Sequence, residues 1–204
     1  YAQMADAHMA EHETTREQLS RVAVKNHGNG AKNPHAHLGF ECSLEDAMNG
    51  APVADPLNLY DCCPTSDGAS VTLLASEEVA RQYTDDPIQI TGTGQASSRI
   101  GLFQRPSLTR IPATETAAER AYAEADIGPD DIDFAEVHDC FSIAELIAYE
   151  DLGFCPEGEG GDYIETGATE PDGERPVNLS GGLKSKGHPI GATGTGQTVE
   201  VFKQ

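Results

Sequence analysis

Positive charge is scarce in this chain. Thirteen lysines and arginines stand against 34 aspartates and glutamates, giving a formal net charge of −21 and a pI near 4.4. A surface that repels phosphate so strongly excludes a nucleic-acid partner. Long apolar runs are also missing. None approaches the ~20 residues that span a bilayer, and no basic stretch followed by an apolar one opens the sequence, so neither a membrane span nor a secretory leader is expected and the chain reads as cytoplasmic. Paired cysteines are lacking as well. Cys42, Cys62, Cys63, Cys140 and Cys155 form an odd set without a CxxC, which points to neither a disulfide framework nor a structural zinc site.

What remains is an ordinary globular composition, 38% hydrophobic and 23% charged over 204 residues, enough for one large or two small domains. The acids occur in short groups such as Asp130-Asp131 and Glu157 to Glu159, which speaks against a disordered acidic tail. Two readings of the charge stay open: a solvated acidic surface, or adaptation to high salt, where counterions screen self-repulsion. The chain opens at Tyr1 without an initiator Met and stops at Gln204 in a helical pattern, so both ends read as cut.

The pattern predicts a largely helical stretch over residues 1–25, with caps at Thr14 and Thr15, then a loop marked by Gly28-Asn29-Gly30 and Asn33-Pro34 and rich in turn formers to about Pro56, with a short helix within it at 43–49. Residues 64–74 end in a β-branched apolar run that suits a buried strand leading into a helix at 77–83. After the break at Asp85-Asp86-Pro87, 88–91 reads as the first strand of a new unit. A helix at 114–125, a strand at 132–137 and a helix at 141–152 closed by Gly153 follow, an alternation that indicates a layered α/β domain. The division expected is residues 1–84 and 85–204.

Two handovers from strand or loop to helix collect reactive side chains. In the first, Glu136 to Glu145, His138 and Cys140 leave the strand just before a helix start, whose N–H groups and dipole favour a thiolate or an enolate oxygen. In the second, Asn178 to Gly196, six glycines bracket His188, and Pro189 stiffens the residue beside the imidazole. A lone His or Cys is more often structural than catalytic, and a Gly-rich stretch alone can be a turn. It is not a phosphate loop, because Gly191, Gly194 and Gly196 give GxxGxG rather than GxGxxG and no Gly-Lys-Ser/Thr is present. His8-Met9-Ala10-Glu11-His12 matches the five-residue HxxEH zinc pattern, with a solvated helical face as the alternative reading. His35 and His37 read as loop surface.

With both stretches in view, the chain resembles the thiolase superfamily, and within it the sterol-carrier-protein-type and archaeal acetyl-CoA C-acyltransferases. Residues 178–194, NLSGGLKSKGHPIGATG, are similar to the thiolase C-terminal signature around Gly-His-Pro. His138-Asp139-Cys140-Phe141 is similar to the HDCF motif of this subgroup, and 56–69, PLNLYDCCPTSDGA, resembles the end of the family's N-terminal half. The resemblance implies an α/β thiolase fold of layered α-β-α-β-α halves, incomplete here. The loop region and end of the N-terminal half would lie in 1–84, and the C-terminal half without its last strands in 85–204.

The resemblance also implies roles. His188 would activate a nucleophilic cysteine, Cys140 would shuttle the α-proton of the acyl acceptor, and His138 would help bind the thioester oxygen. Gly181, Gly182 and Gly191 would let backbone approach the substrate, or serve only as turns. The acyl-carrying cysteine has no match here, since neither Cys42 nor Cys62-Cys63 fits the family's nucleophile turn.

Claisen chemistry needs a thiolate, a base for the carbanion and donors for the enolate. A helix start and nearby His residues are expected to lower the Cys140 pKa, and Asp139 is expected to fix geometry by hydrogen bonds. Lys184 and Lys186 could meet CoA phosphates or face water, and water is the expectation. The implied activity is acyl-CoA C-acyl transfer with acyl-CoA and CoA as substrates, no cofactor and no metal, and an isolated chain that is inactive. A homodimer or homotetramer and a small zinc-bearing OB-fold partner are implied too. A ketoacyl-synthase-like condensing enzyme and an acyl-CoA or lipid-binding module are the alternatives.

Overall fold

The computed structural model describes all 204 residues. Helix α1 (Ala2–His12) turns Met4, Ala5 and His8 inward and ends at Glu13 in a left-handed conformation. Thr15 caps α2 (Arg16–Gly30) through a reciprocal pair in which its hydroxyl accepts the Gln18 N–H and the Gln18 side chain accepts the Thr15 N–H. Buried residues recur every three or four positions along α2, at Leu19, Val22, Ala23, Asn26 and Gly30, so its buried face is wide enough to touch several neighbours. Those neighbours are α3 (Leu44–Met48), α6 (Ser142–Asp151), α7 (Gly160–Glu165) and α8 (Gly182–Ser185).

The main core joins α1 and α2 to α6, with Met4, Ala5, Leu19 and Val22 packed with Ile143, Leu146, Ile147 and Tyr149. Leu57, Val137, Phe154, Ile164 and Val177 complete it, so one core draws on residues from both sides of position 84. Each such aliphatic side chain contributes about 1.5–3 kcal/mol by leaving water. Gly153, at φ +77°, ends α6 where an L side chain would be strained. Outside this core lie α4 (Glu77–Ala80) and α5 (Pro112–Ala125), which begins with Pro112 in its first turn. Helix α9 (Thr193–Lys203) closes the chain.

Expected helices form, although α2 runs on to Gly30 through the Gly28-Asn29-Gly30 stretch expected as loop, where its buried face still packs on its neighbours; the expected strands do not form. The only ladder is a short antiparallel pair, β1 (Pro52–Ala54) with β2 (Leu57–Asn58). Residues 64–74 are extended and open, with Val71, Leu73 and Leu74 at 78%, 93% and 75% exposure, and Ile88 and Ile90 are also exposed. A β-branched run becomes a strand only where another edge accepts its N–H groups, and here none lies beside it. The 132–137 segment keeps one parallel bridge, Ala135 with Val177. The HxxEH pattern folds into neither of its readings. His8 is fully buried, and its ring nitrogens face Thr14 Oγ1 at 2.7 Å and Glu150 Oε1 at 3.0 Å.

Asp151, at the end of α6, carries a measurable consequence. Its Oδ2 accepts the Ile111 N–H at 2.9 Å while Oδ1 has no partner, and burial pushes its pKa up to about 6 from an ordinary 3.8. The native state therefore binds more protons here than the unfolded chain, so this group adds stability as pH falls from 7 toward 4. Asp151→Asn keeps the acceptor and removes the charge. It should raise the melting temperature at pH 8 by about 2–4 °C, corresponding to about 1 kcal/mol, and flatten the Asp151 share of the pH 4–6 dependence. Calorimetry at several pH values checks it, and an unchanged or lower melting temperature at pH 8 would contradict it.

Candidate active site

The first stretch is pinned on both sides. Val137 N–H donates to Asn178 Oδ1 at 2.9 Å, and Cys63 N–H donates to Cys140 O at 3.0 Å beside a bridge between Cys62 and Phe141. Between these anchors Val137 points in, His138 points out and is exposed, and Asp139 and Cys140 point in again. Asp139 is fully buried. It accepts the Leu183 N–H at 2.6 Å, the Lys184 N–H at 3.3 Å and the Asn26 amide at 2.8 Å, so it joins this turn to the start of α8.

The second stretch needs glycine for shape. Gly181 and Gly182 have φ of +100° and +59°, and a Cβ would come within 2.6 Å of Gly30 Cα in the first and 2.4 Å of Asp139 Oδ2 in the second. Both glycines thus sit where α8 is laid on α2 and on Asp139, whereas Gly191 is exposed beside an open surface recess. Lys184 corrects the expectation of a water-facing lysine. It is fully buried and donates to the Asp61 backbone carbonyl at 2.5 Å, and Lys186 is half-buried near Glu136. The short α8 turns its chain inward at 184, so this residue of the motif is part of the core.

These two anchored segments bring His138 and His188 together. Their ring centroids lie 5.0 Å apart with an edge-to-face angle of 84°. His188 is half-buried, its backbone N–H donates to Ser66 Oγ at 3.1 Å, and a parallel bridge joins it to Thr65. Its Nδ1 lies 2.6 Å from Thr193 Oγ1, while that hydroxyl donates to the Pro189 carbonyl at 3.0 Å. A threonine hydroxyl has one proton, and the Pro189 carbonyl can only accept it. Nδ1 must then carry the imidazole hydrogen and donate it to Thr193. That leaves the Nε2 lone pair free to take a proton.

Burial lowers the pKa of His188. That of His138 is lowered as well: although the residue as a whole is exposed, the protein around its ring displaces part of the water that would solvate the charged form, and the His188 ring is a second cause. Both rings are accordingly neutral at pH 7. Cys140 departs from expectation. Burial raises its pKa more than the hydrogen bond from Tyr1 and the Phe141 N–H lower it, so its resting form is a thiol. The Tyr1 ring stacks on Phe141 with centroids 4.7 Å apart. Cys63, packed beside Cys140, is pushed up to about 11, and Cys42, buried near Ala23 and Ala47, also to about 11, in each case by burial first. Neither has the electropositive, open surroundings of an activated nucleophile.

Ser66 and Thr193 lie within the quoted family-like segments but no pattern gives them a role: a hydroxyl five residues from His188 becomes meaningful only once Pro189 bends the chain back, and Ser66 is 122 positions away. Cys63 was hidden for a similar reason, since 77 positions separate it from Cys140.

Comparison with known proteins fits this geometry. A family model described as "Thiolase C-terminal domain-like" matches residues 94–204. The acetyl-CoA acetyltransferase of Methanothermobacter thermautotrophicus is 52% identical over 204 residues, covering 100% of this chain and 53% of the relative. Sterol carrier protein 2 of Bos taurus is 40% identical over 199 residues, covering 95% of this chain and 37% of the relative. Among solved structures, an Ltp2-ChsH2(DUF35) aldolase superposes with a TM-score of 0.87 at 32% identity, over 98% of this chain and 53% of that one. The chain spans about half the length of curated relatives such as the first. A family model covering more than half of its residues places this chain in the thiolase family, and the thiolase fold of its structural neighbours agrees.

Proposed function

We propose that this chain supplies the base and proton-shuttling part of an acyl-CoA C-acyltransferase. The observation that carries the reading is the edge contact of His138 with His188, whose Nε2 is left free by the Thr193 bond. In this reading His188 Nε2 takes the proton of a cysteine thiol that the motifs of this chain do not include. The thiolate attacks an acyl-CoA carbonyl, and CoA leaves as the thiol, which completes the first half of a ping-pong exchange.

Cys140, as a thiolate, then removes the α-proton of a second acyl-CoA, and an N–H of neutral His138 holds the enolate oxygen. The carbanion attacks the acyl-enzyme carbonyl, forming the carbon–carbon bond and releasing the enzyme cysteine. Run backward with CoA, the same atoms give thiolytic cleavage. Gly191 lies at the open side, where a thioester would approach, while Gly181 and Gly182 serve packing. The division at 84/85, a homodimer or homotetramer and a cytoplasmic location belong to the same reading. So does a small zinc-bearing OB-fold partner, as the family resemblance implies it; the paired name of the Ltp2-ChsH2(DUF35) neighbour supports only that a partner protein exists.

The test uses the full-length protein that carries this sequence. With acetyl-labelled acetyl-CoA it should form a trapped acyl-enzyme and cleave acetoacetyl-CoA when CoA is added, and the 204 residues alone should do neither. An aldolase of this fold, the reading favoured by the same structural neighbour, would cleave a β-hydroxyacyl-CoA without an acyl-enzyme. That result would replace the proposal.

Thr193 gives a sharper check. Thr193→Val removes the acceptor that holds His188 in its tautomer, and should slow acyl-enzyme formation about 10- to 100-fold, as a misoriented base does. Thr193→Ser should retain most of the rate. Equal rates for the Val and Ser variants would show that the tautomer is fixed by something else.

A further inference from the structure

Beneath the two histidine motifs lies a buried polar cluster that the chemistry does not use directly. Glu145 of α6 is fully buried and receives the Lys25 ammonium at 2.8 Å, the Asn178 amide at 2.7 Å and the Tyr149 hydroxyl at 2.5 Å. Asp139 of the catalytic turn is also fully buried. One side chain bridges these two carboxylates. The Asn26 amide donates to Asp139 Oδ2 at 2.8 Å and to Glu145 Oε2 at 2.6 Å, while its own oxygen accepts the Lys25 ammonium at 2.7 Å. Asn26 is itself fully buried on α2, and every hydrogen-bonding direction it shows is spent on this cluster.

The topology gives that amide leverage. Asp139 stands between His138 and Cys140 and accepts the first N–H groups of α8, whose chain leads directly to His188. Gly182 has no side chain at the point where one would strike Asp139. Asp139 therefore fixes the spacing between the two motifs, and Asn26 is the side chain that holds Asp139 from the far side. A carboxylate with only the two α8 N–H donors could swing with α8. One clamped also to α6 through Asn26 and Glu145 cannot.

We infer that Asn26 is a positioning residue, holding the His138–Cys140 turn at a fixed distance from the His188 loop through Asp139. This rests on the proposed acyl transfer for its kinetic test, and on geometry alone for its spectroscopic one. No substrate group touches Asn26. Its effect falls on carbanion formation, whose groups His138 and Cys140 flank Asp139, and on condensation, which needs both motifs at once, more than on acyl-enzyme formation, which needs His188 with its own Thr193 and Ser66 contacts.

The experiment compares Asn26→Ala and Asp139→Asn in the full-length protein, each corrected for the folded fraction by circular dichroism. For both, exchange of the acetyl-CoA α-protons with deuterated water and condensation should fall about 10- to 100-fold, since displacements near 1 Å cost that much. Acyl-enzyme formation should stay within a few-fold of wild type. Combining the two substitutions should add little to the worse single one, because both cut the same connection.

Histidine NMR supplies a readout independent of activity. The ring-current-shifted His138 and His188 resonances should move toward positions of separated rings in the folded Asn26→Ala protein. Unmoved resonances, or kcat and KM per folded molecule equal to wild type, would overturn the inference. Equal loss of both half-reactions in folded protein would do the same. If Asn26→Ala does not fold, Asp139→Asn, nearly identical in shape, carries the test. A wild-type protein without acyl-enzyme chemistry would sink the proposed function, yet the resonances would still decide the role of Asn26.

Discussion

Replacing Cys140 by Ala in the full-length protein is expected to abolish condensation while leaving acyl-enzyme formation measurable. The loss should be about 10²–10⁴-fold, the usual worth of a positioned acid or base. The separation follows from what each motif touches. The His188 ring is oriented by Thr193, its backbone is held by Ser66, and none of these bonds passes through Cys140. Alanine should also be tolerated structurally, because Cys140 packs in a small cluster with Ala144 and Leu183, and the loss of one sulfur there lies within the range of about 0.5–3 kcal/mol for ordinary substitutions.

The elevated Cys140 pKa adds a pH signature. Burial makes the thiol the resting form, so the thiolate that removes an α-proton grows as pH rises. Condensation should therefore keep increasing toward alkaline pH after acyl-enzyme formation, which depends on a histidine already neutral at pH 7, has levelled off. Trapping of labelled acyl-enzyme and a condensation assay on the same preparations separate the two steps. Equal loss of both in Cys140→Ala would contradict the division of labour between His188 and Cys140.

The helices were legible because their signals are local. Thr15 with Gln18, Ser43 before α3, and Gly153 after α6 each act within a few residues, and each is used as the pattern implies. Strands are less legible because strand formation is a property of pairs. Residues 70–74 carry a strand composition, yet the edge that would satisfy them is not among their neighbours. The site was partly legible for a similar reason. His138, Cys140 and His188 stand in recognisable motifs, and the expectation that Asp139 works by hydrogen bonds agrees with its three donors. What could not be read was long-range: that Lys184 turns inward, that Cys63 lies against Cys140, and that burial raises the Cys140 pKa where a helix start alone would lower it.

Burial also decides the largest stability effect expected. Lys25 is fully enclosed, with its ammonium 2.8 Å from Glu145, and it further donates to the Val177 carbonyl at 2.6 Å and to Asn26. Lys25→Met keeps the length of the side chain and removes the charge. Glu145 would be left as an uncompensated buried carboxylate, a situation that costs about 3–5 kcal/mol, or a fall in melting temperature of roughly 6–20 °C at about 2–4 °C per kcal/mol.

The sign of the pH dependence should invert as well. In the wild type burial acts to raise the Glu145 pKa, but Lys25 and the hydrogen bonds outweigh it and the net shift is downward. That contribution is present above the unfolded pKa and is lost as pH falls through the folded one. Without Lys25, burial prevails and the folded pKa rises above the unfolded value, so acidification from pH 7 toward 5 should stabilise the variant. Adding Glu145→Gln should restore most of the loss, because a neutral amide still accepts from Asn26 and Asn178. Thermal unfolding of the two variants at pH 5 and 7 checks all three expectations. A Lys25→Met protein within about 1 kcal/mol of wild type would mean that Glu145 takes up a proton at no appreciable cost, and that the ion pair is not what holds α2 against α6.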